Sequence, residues 1–346
     1  MLTKAELIDK LRELNVSEVF YRNYRLAKAS PISFGEYLER LDMEQVREHK
    51  LLVPELPETI PPEYREEWYF SPDRREGIHI FKHDCYCPAI EHSHDFFEFF
   101  YVLEGHCVHQ VGGKHSMLHA GDCCLIQPKV RHSIDVSDES IVIDVLIRRS
   151  TFRQNFFSIL QGDNLLSTFF MSTLYRGAGM DYLIFHTTGD HGFREMILDL
   201  CREYFVQEDY FRELVNGILM QVFVRLLRRH TETCELPDKR SATTDKAMEF
   251  IRYIQLNSAD LTLDQLAQHF HYTPEYASRL IRQTTGQTYS QMVTQMRMEN
   301  AKILLRDTTM TIAEVGASVG YDSPEHFIRT VSKTQGQTPS NYRKEA

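Results

Sequence analysis

The chain has 346 residues and a mass of 40.6 kDa, which exceeds one typical domain and favours two domains joined by a connector. Its 42% hydrophobic and 25% charged residues are typical of a globular protein, and no apolar run approaches the roughly 18 residues that span a bilayer, so no membrane anchor is expected. The net charge of -10 lies in residues 1–244, with 28 basic and 38 acidic side chains, whereas 11 basic side chains balance 11 acidic ones from residue 245 onward.

The first 66 residues predict a helical extension, to which the sequence assigns no role. The start MLTKAELIDKLREL places leucines at helical spacing and lacks the basic-then-apolar layout of a signal peptide, so we expect a cytoplasmic protein. A second helical pattern covers about residues 34–48. The prolines of VPELPETIPPEY then predict an extended connector.

Residues 67–150 predict an antiparallel β-barrel or sandwich. Short runs rich in Ile, Val, Phe and His alternate with turn signals, which are Glu104-Gly105, Gly112-Gly113 and Ala120-Gly121-Asp122. The period then becomes helical over residues 151–232, where FREMILDLCREYF and FRELVNGILMQVFVRLLRRH predict two amphipathic helices. Their apolar faces fit either the core of one chain or a seam between two copies. A polar stretch containing Pro237 predicts a linker over residues 233–244.

The last hundred residues contain an internal repeat. LTLDQLAQHFHYTPEYASRLIRQTTGQT is similar to MTIAEVGASVGYDSPEHFIRTVSKTQGQT, with Tyr272 recurring 49 residues later as Tyr321. In the first copy, Thr262 is a cap for a short helix, Thr273-Pro274 starts a second helix, and Gly286 ends it. Two helices joined by a tight turn form a helix-turn-helix, which puts its second helix into the major groove of DNA. The stretch YSQMVTQMRMENAKILLRD predicts one long helix between the copies.

Residues 245–346, which contain these motifs, resemble the DNA-binding domain of the AraC/XylS family of transcription regulators. The resemblance implies that two recognition helices enter successive major grooves of promoter DNA. The side chains that it assigns to DNA are Glu275, Ser278, Arg279, Arg282, Glu325, His326, Arg329 and Lys333. Arg279 and Arg329 are the strongest candidates among them, because arginine can bind guanine or phosphate with two hydrogen bonds. The apolar positions predicted as core are Leu266, Ala267, Leu280, Ile281, Val315, Phe327 and Val331.

A second resemblance concerns the stretch EHSHDFFEFFYVLEG. His92, His94 and Glu98 fit the first metal-binding motif of the cupin barrel, and GDCCLIQPKVRH resembles the second, with His132 in place and Lys129 where glycine is expected. Three imidazoles and a carboxylate suit Mn, Fe, Ni, Zn or Cu. The alternative is that these side chains line a pocket for a small molecule without metal, since the sensor domains of AraC-type regulators resemble cupins and use the barrel interior in this way.

The sequence therefore predicts an α+β multidomain protein, with a cupin-like sensor barrel, a helical dimerisation segment and an all-α tandem helix-turn-helix domain. The resemblance implies a homodimeric regulator, an activator that contacts RNA polymerase, controlled by a small-molecule effector such as a sugar. Two alternatives remain: a metal-dependent cupin oxygenase or isomerase, and a redox sensor. The redox sensor would use thiols near the strands, which are Cys85, Cys87, Cys107, Cys123 and Cys124.

Overall fold

In the computed structural model the chain forms two compact units, and each unit is made of two separate stretches of sequence. The structure describes residues 2–70, 77–155, 164–174, 181–237 and 242–345. The first unit, here the N-terminal unit, contains Met1–Ile159 and Asp181–Pro237, and the second, the C-terminal unit, contains Leu160–Met180 and Asp238–Ala346. A search of the described residues for a helix long and apolar enough to span a membrane finds none.

The N-terminal extension is helical, as predicted, but contains more helices than the sequence pattern indicated. Its elements are α1 (Lys4–Arg12), α2 (Val16–Lys28), α3 (Pro31–Glu39), α4 (Met43–Glu48), a 3-10 turn (Pro57–Thr59) and α5 (Glu66–Tyr69). The start of α2 is fixed by a capping box, in which the Asn15 side chain accepts from the Glu18 amide and the Glu18 carboxylate accepts from the Asn15 amide. This Asn-x-x-Glu signal was available in the sequence.

A buried ion pair holds the extension to the strands. The Glu18 side chain is fully buried, and its Oε1 lies 2.7 Å from Lys82 Nζ and 3.1 Å from the amide nitrogen of Cys85, which donates to it. Arg25 donates to the carbonyls of Tyr86 and Cys87 and pairs with Asp135. The extension is therefore part of the N-terminal unit's folded body.

Two antiparallel sheets form the centre of the N-terminal unit. The strands are β1 (Ile78–Lys82), β2 (Phe97–Glu104), β3 (His106–Val111), β4 (Lys114–His119), β5 (Asp122–Ile126), β6 (His132–Asp135), β7 (Ile141–Ile147) and β8 (Tyr182–His186). The five-stranded sheet has the order β1-β7-β2-β5-β8 and the three-stranded sheet the order β4-β3-β6. Strand β2 is central and carries the continuous run FEFFYVLE because both of its faces are buried.

The segment between β7 and the C-terminal domain is not entirely helical. Its helices are α6 (Arg149–Asn155), α7 (Leu165–Leu174), α8 (His191–Val206) and α9 (Phe211–Arg229), and the last two match the predicted amphipathic pair. Strand β8 was not predicted. YLIFH is a five-residue run of aromatic and aliphatic side chains that pairs with β5, and it is too short to show a period. Helix α7 belongs to the C-terminal unit, where its Ser167 hydroxyl lies 3.4 Å from Gln255 Oε1.

The C-terminal unit confirms the two predicted helix-turn-helix copies. Its helices are α10 (Ala242–Asn257), α11 (Leu263–His269), α12 (Pro274–Thr285), α13 (Tyr289–Asp307), α14 (Ile312–Ser318), α15 (Pro324–Gln335) and α16 (Pro339–Glu345). Thr273 and Ser323 cap the second helix of each copy, and Gly286 and Gly336 end it at φ 72, where a side chain would be strained. All seven predicted core positions of this domain are buried.

Replacing Glu18 by Ala should destabilise the N-terminal unit by roughly 3–5 kcal/mol, because it leaves the largely buried Lys82 ammonium unpaired. Urea unfolding of the full chain measures the change. Glu39 is an exposed acid of the same extension, and Glu39→Ala, the control, should change stability by less than about 0.5 kcal/mol. Equal effects of the two replacements would contradict a buried ion pair at Glu18.

Candidate functional site

The N-terminal unit contains a cavity of about 790 Å³. Strands β1, β2 and β7 supply one wall, and the extension supplies the other through residues that include Tyr21, Arg47 and Leu52. Aromatic rings line much of the space, namely Tyr64, Trp68, Tyr69, Phe81 and Phe96. A cavity of this size holds a small organic molecule. The extension, to which the sequence assigned no role, is thus part of the wall.

The four predicted ligand residues of the N-terminal unit come together, and three of them, His92, His94 and Glu98, line this cavity. Glu98 lies on β2, His132 begins β6, and His92 forms an isolated bridge with His132 just before β2. Glu98 Oε2 lies 2.9 Å from His94 Nε2 and 3.0 Å from His132 Nε2. Ligand atoms of His92, Glu98 and His132 all lie within 4.8 Å of one another. His94, Glu98 and His132 are buried, with exposed fractions of 1%, 5% and 1%.

Backbone carbonyls fix which nitrogen of each imidazole faces this cluster. Nδ1 of His92, His94 and His132 lies 3.0, 2.7 and 3.2 Å from the carbonyl oxygens of residues 90, 96 and 130. A carbonyl oxygen only accepts, so each Nδ1 carries the proton, and Nε2 of a neutral ring presents a lone pair. The Nε2 atoms of His94 and His132 and Oε2 of Glu98 are buried without a hydrogen-bond partner. Close acceptors of this kind require a shared proton or a cation between them.

The electrostatics of the cluster agree with that requirement. Burial alone would raise the pKa of Glu98, but a proton shared from the His132 or His94 imidazole outweighs burial and holds the pKa well below its usual range, so the side chain is a carboxylate. Burial, reinforced by His132, lowers the pKa of His92 to about 3, so this ring is neutral at pH 7. The cluster can therefore bind a cation or accept protons from hydroxyl groups.

Lys129 departs from the cupin pattern in side chain but not in backbone. It stands where the pattern has glycine, and it adopts a left-handed φ of 69. In that conformation its amide donates to the carbonyl of His94 at 2.6 Å, and its Nζ pairs with Glu63 at 2.5 Å. The loop before His132 thus holds His94 in position.

A second polar pair faces the same cavity, and no sequence motif indicated it. His83 Nδ1 lies 2.8 Å from Asp144 Oδ2, while Asp144 Oδ1 is buried without a partner. Burial lowers the pKa of His83, but the Asp144 charge outweighs it and raises the pKa to about 9. The two residues are 61 positions apart and meet through the pairing of β1 with β7, which no local pattern could reveal.

The thiols near the strands are poorly placed for redox sensing. Cys85, Cys107, Cys123 and Cys124 are buried, whereas Cys87 is half-buried. Burial raises the pKa of Cys85, Cys87 and Cys107 to about 12, so these thiols stay protonated at pH 7. Because the thiolate is the reactive form, protonated buried thiols are inert.

The predicted DNA residues lie on the second helices of the two helix-turn-helix copies. Ser278 is half-buried, and the other seven are exposed: Glu275, Arg279, Arg282, Glu325, His326, Arg329 and Lys333. Arg279 and Arg329 occupy equivalent positions of α12 and α15 and form no ion pair with another described residue. Their guanidinium groups are available to an external partner.

Comparisons with known protein families agree with these two sites. Residues 89–209 match the family described as AraC-like ligand binding domain, and residues 266–345 match a helix-turn-helix domain. The first range contains the histidine cluster, and the second contains both recognition helices. Together the two matched ranges contain most of the strands and both recognition helices.

Relatives of this chain are regulators. The HTH-type transcriptional activator RhaR of Shigella dysenteriae is 24% identical over 75% of this chain and 89% of its own length. The arabinose operon regulatory protein of Escherichia coli K12 is 32% identical over 39% of this chain and 45% of its own length. The uncharacterized HTH-type transcriptional regulator YtdP of Bacillus subtilis is 34% identical over 25% of this chain, and the match spans only 11% of that protein.

Comparison with solved structures finds matches with low TM-scores. Wild-type ToxT of Vibrio cholerae with bound unsaturated fatty acid matches 77% of this chain and 93% of its own length, at 16% identity and a TM-score of 0.31.

The stability of the N-terminal unit should fall as the pH rises from 6.5 to about 9. His83 binds its proton more tightly in the folded chain, because its pKa there is raised from 6.5 to about 9. Its contribution is therefore complete below pH 6.5 and is lost as the pH rises through 9, by at most roughly 3 kcal/mol. Urea unfolding across this range measures the loss. Asp144→Asn should flatten the profile, and a flat wild-type profile would refute the charged pair.

Proposed function

The chain belongs to the AraC family of DNA-binding transcription regulators, and we propose that its N-terminal unit binds a small polyhydroxylated molecule that controls DNA binding by its C-terminal unit. The proposal rests on the cavity, into which Glu98, Asp144 and His94 each bring one buried atom that has no hydrogen-bond partner. Such atoms are costly to bury unless a ligand or ion satisfies them. The same chain carries two helix-turn-helix copies.

The class of ligand follows from the lining of the cavity. Glu98 Oε2 and Asp144 Oδ1 are acceptors without hydrogen-bond partners, so a ligand that donates from several hydroxyl groups suits them. The rings of Tyr64, Trp68 and Tyr69 offer apolar faces to the carbon skeleton of such a ligand. A sugar combines both features. The relative named arabinose operon regulatory protein supports this class.

We further propose that His92, His94, Glu98 and His132 hold a divalent transition metal. The donor set fits: three imidazoles have Nδ1 bound to backbone carbonyls, which is the usual way that proteins orient metal-binding histidines. A metal would supply the positive charge that the buried Glu98 carboxylate needs and a Lewis acid for a ligand oxygen. These residues hold the ligand in either case, with the metal or with protons on the imidazoles.

The rest of the mechanism concerns assembly and output. We propose that the barrel binds its ligand without catalysing a reaction on it. The relatives are regulators, and control of DNA binding needs ligand occupancy but no turnover. The helices α8 and α9 and the turn between them leave Phe205, Val206, Tyr210 and Leu214 exposed, which favours a seam between two copies in a homodimer. Activation through RNA polymerase, in the cytoplasm, fits relatives that are named transcriptional activators.

Replacing both Arg279 and Arg329 by Ala should weaken specific DNA binding by at least roughly 30-fold, since each well-formed arginine contact contributes about 1–3 kcal/mol. Fluorescence anisotropy with a DNA duplex selected by the wild-type chain measures this. The control is Lys10→Ala with Arg40→Ala, which removes the same charge from exposed positions of the extension. Unchanged binding by the Arg279/Arg329 variant would refute the assignment of the recognition helices.

Replacing Glu98 by Gln should abolish metal retention and weaken sugar binding, because it removes the negative charge and one acceptor while keeping the side chain's volume. Elemental analysis of the purified full chain should find roughly one metal ion per wild-type chain and much less in the variant. Thermal shift with a panel of monosaccharides reports sugar binding. The control is Glu91→Gln, an exposed acid paired with Arg131. If the wild-type chain contains no metal and its melting temperature does not respond to added Mn²⁺ or Zn²⁺, the proposed metal site is refuted. The thermal shift with monosaccharides then tests the ligand cavity by itself.

A further inference from the structure

Four side chains in the first helix-turn-helix copy form a continuous series of cations and rings. Lys246 Nζ of α10 lies 5.7 Å from the ring centroid of Tyr272, and the Tyr272 and Tyr276 rings stack at 4.5 Å with an interplanar angle of 26°. The Arg279 guanidinium lies 5.8 Å from the Tyr276 ring. This aromatic ladder, Lys246, Tyr272, Tyr276 and Arg279, links α10, the turn and α12. Each cation lies within the distance at which a ring face attracts it.

The Tyr276 ring restrains an otherwise unpaired Arg279 side chain. Arg279 is exposed and forms no ion pair or side-chain hydrogen bond with any of the described residues. Tyr276 and Arg279 are three positions apart on α12 and therefore lie on the same face, one turn from each other. The ring restricts where the guanidinium can lie while its five N–H groups stay free to donate.

The second copy lacks this arrangement. Tyr321, equivalent to Tyr272, has its ring 5.7 Å from the Arg297 guanidinium and 5.1 Å from His326 in an edge-on contact at 75°. Arg329, equivalent to Arg279, lies on the following turn without a ring contact among the described residues. The two copies thus present equivalent arginines, one held against a ring and one not held.

We infer that Tyr276 is a positioning residue, which holds the Arg279 guanidinium in the orientation that DNA requires. The Tyr272 ring stacks on the Tyr276 ring and supports it. Lys246, on α10, contacts the Tyr272 ring and adds a cation that can bind a DNA phosphate. The first helix-turn-helix copy then binds with less loss of side-chain entropy than the second and carries more of the sequence specificity. This inference rests on the proposed role of Arg279 in DNA binding.

A double-mutant cycle on the full chain tests the inference. Tyr276→Ala should weaken binding to the selected duplex by about two- to fivefold, which corresponds to one exposed cation–π contact. Tyr276→Phe keeps the ring and should bind like wild type. In an Arg279→Ala background, Tyr276→Ala should have almost no further effect, because the group that it positions is gone. Lys246→Gln should weaken binding equally on all sequences and reduce its salt dependence by about one counterion.

The outcomes separate positioning from a structural role. A Tyr276→Ala effect that is unchanged in the Arg279→Ala background would overturn the inference, as would an equal loss in Tyr276→Phe, which would indicate a direct contact of the hydroxyl. If Tyr276→Ala lowers the melting temperature of the chain, Tyr276→Met, which keeps apolar volume without a ring, replaces it in the same cycle. If Arg279→Ala alone binds like wild type, both the DNA contact and its positioning are refuted. In the second copy His326 and Arg329 stand at the positions of Tyr276 and Arg279. In the matched cycle, the losses of binding free energy from His326→Ala and Arg329→Ala should be additive.

Discussion

A carboxylate inside an apolar sheet is stable only where positive charge or donors surround it, and Glu98 imposes this constraint on the N-terminal unit. It lies on the central strand of the five-stranded sheet, between strands that are buried along their whole length. The imidazoles of His94 and His132 meet it, and backbone carbonyls on the opposite side of each ring keep them there. The cavity's polar end and its need for a ligand or cation follow from this one buried charge.

The C-terminal unit solves a different problem, which is to present charged side chains to solvent in a fixed geometry. Its recognition helices are begun by side-chain caps and ended by left-handed glycines, so the backbone of each is defined locally. Long cationic side chains remain mobile on such a scaffold unless something holds them. The stacked rings of Tyr272 and Tyr276 hold Arg279, and among the described residues the second copy has no equivalent stack at Arg329. The two helix-turn-helix copies therefore present equivalent arginine side chains that differ in rigidity.

Local signals explain what could be predicted from the sequence. Thr273-Pro274 and Gly286 marked both ends of α12 because caps and glycine act over one turn. The four residues of the histidine cluster were named because their stretches resemble the cupin metal-binding motifs, and the structure brings them together. The wall formed by the extension, the His83–Asp144 pair and the assignment of α7 to the C-terminal unit depend on contacts between distant segments. Strand β8 was missed because its five residues are ordered by pairing with β5 and not by a pattern of their own.

Ligand occupancy in the N-terminal unit should change DNA binding by the C-terminal unit. Footprinting of the full chain on the DNA upstream of its own gene, at moderate salt, tests it most directly when repeated with and without a mixture of monosaccharides. We expect paired protected sites about one helical turn apart, with protection that changes when the mixture is added. Protection that is identical in both conditions, or no protection in either, would contradict it.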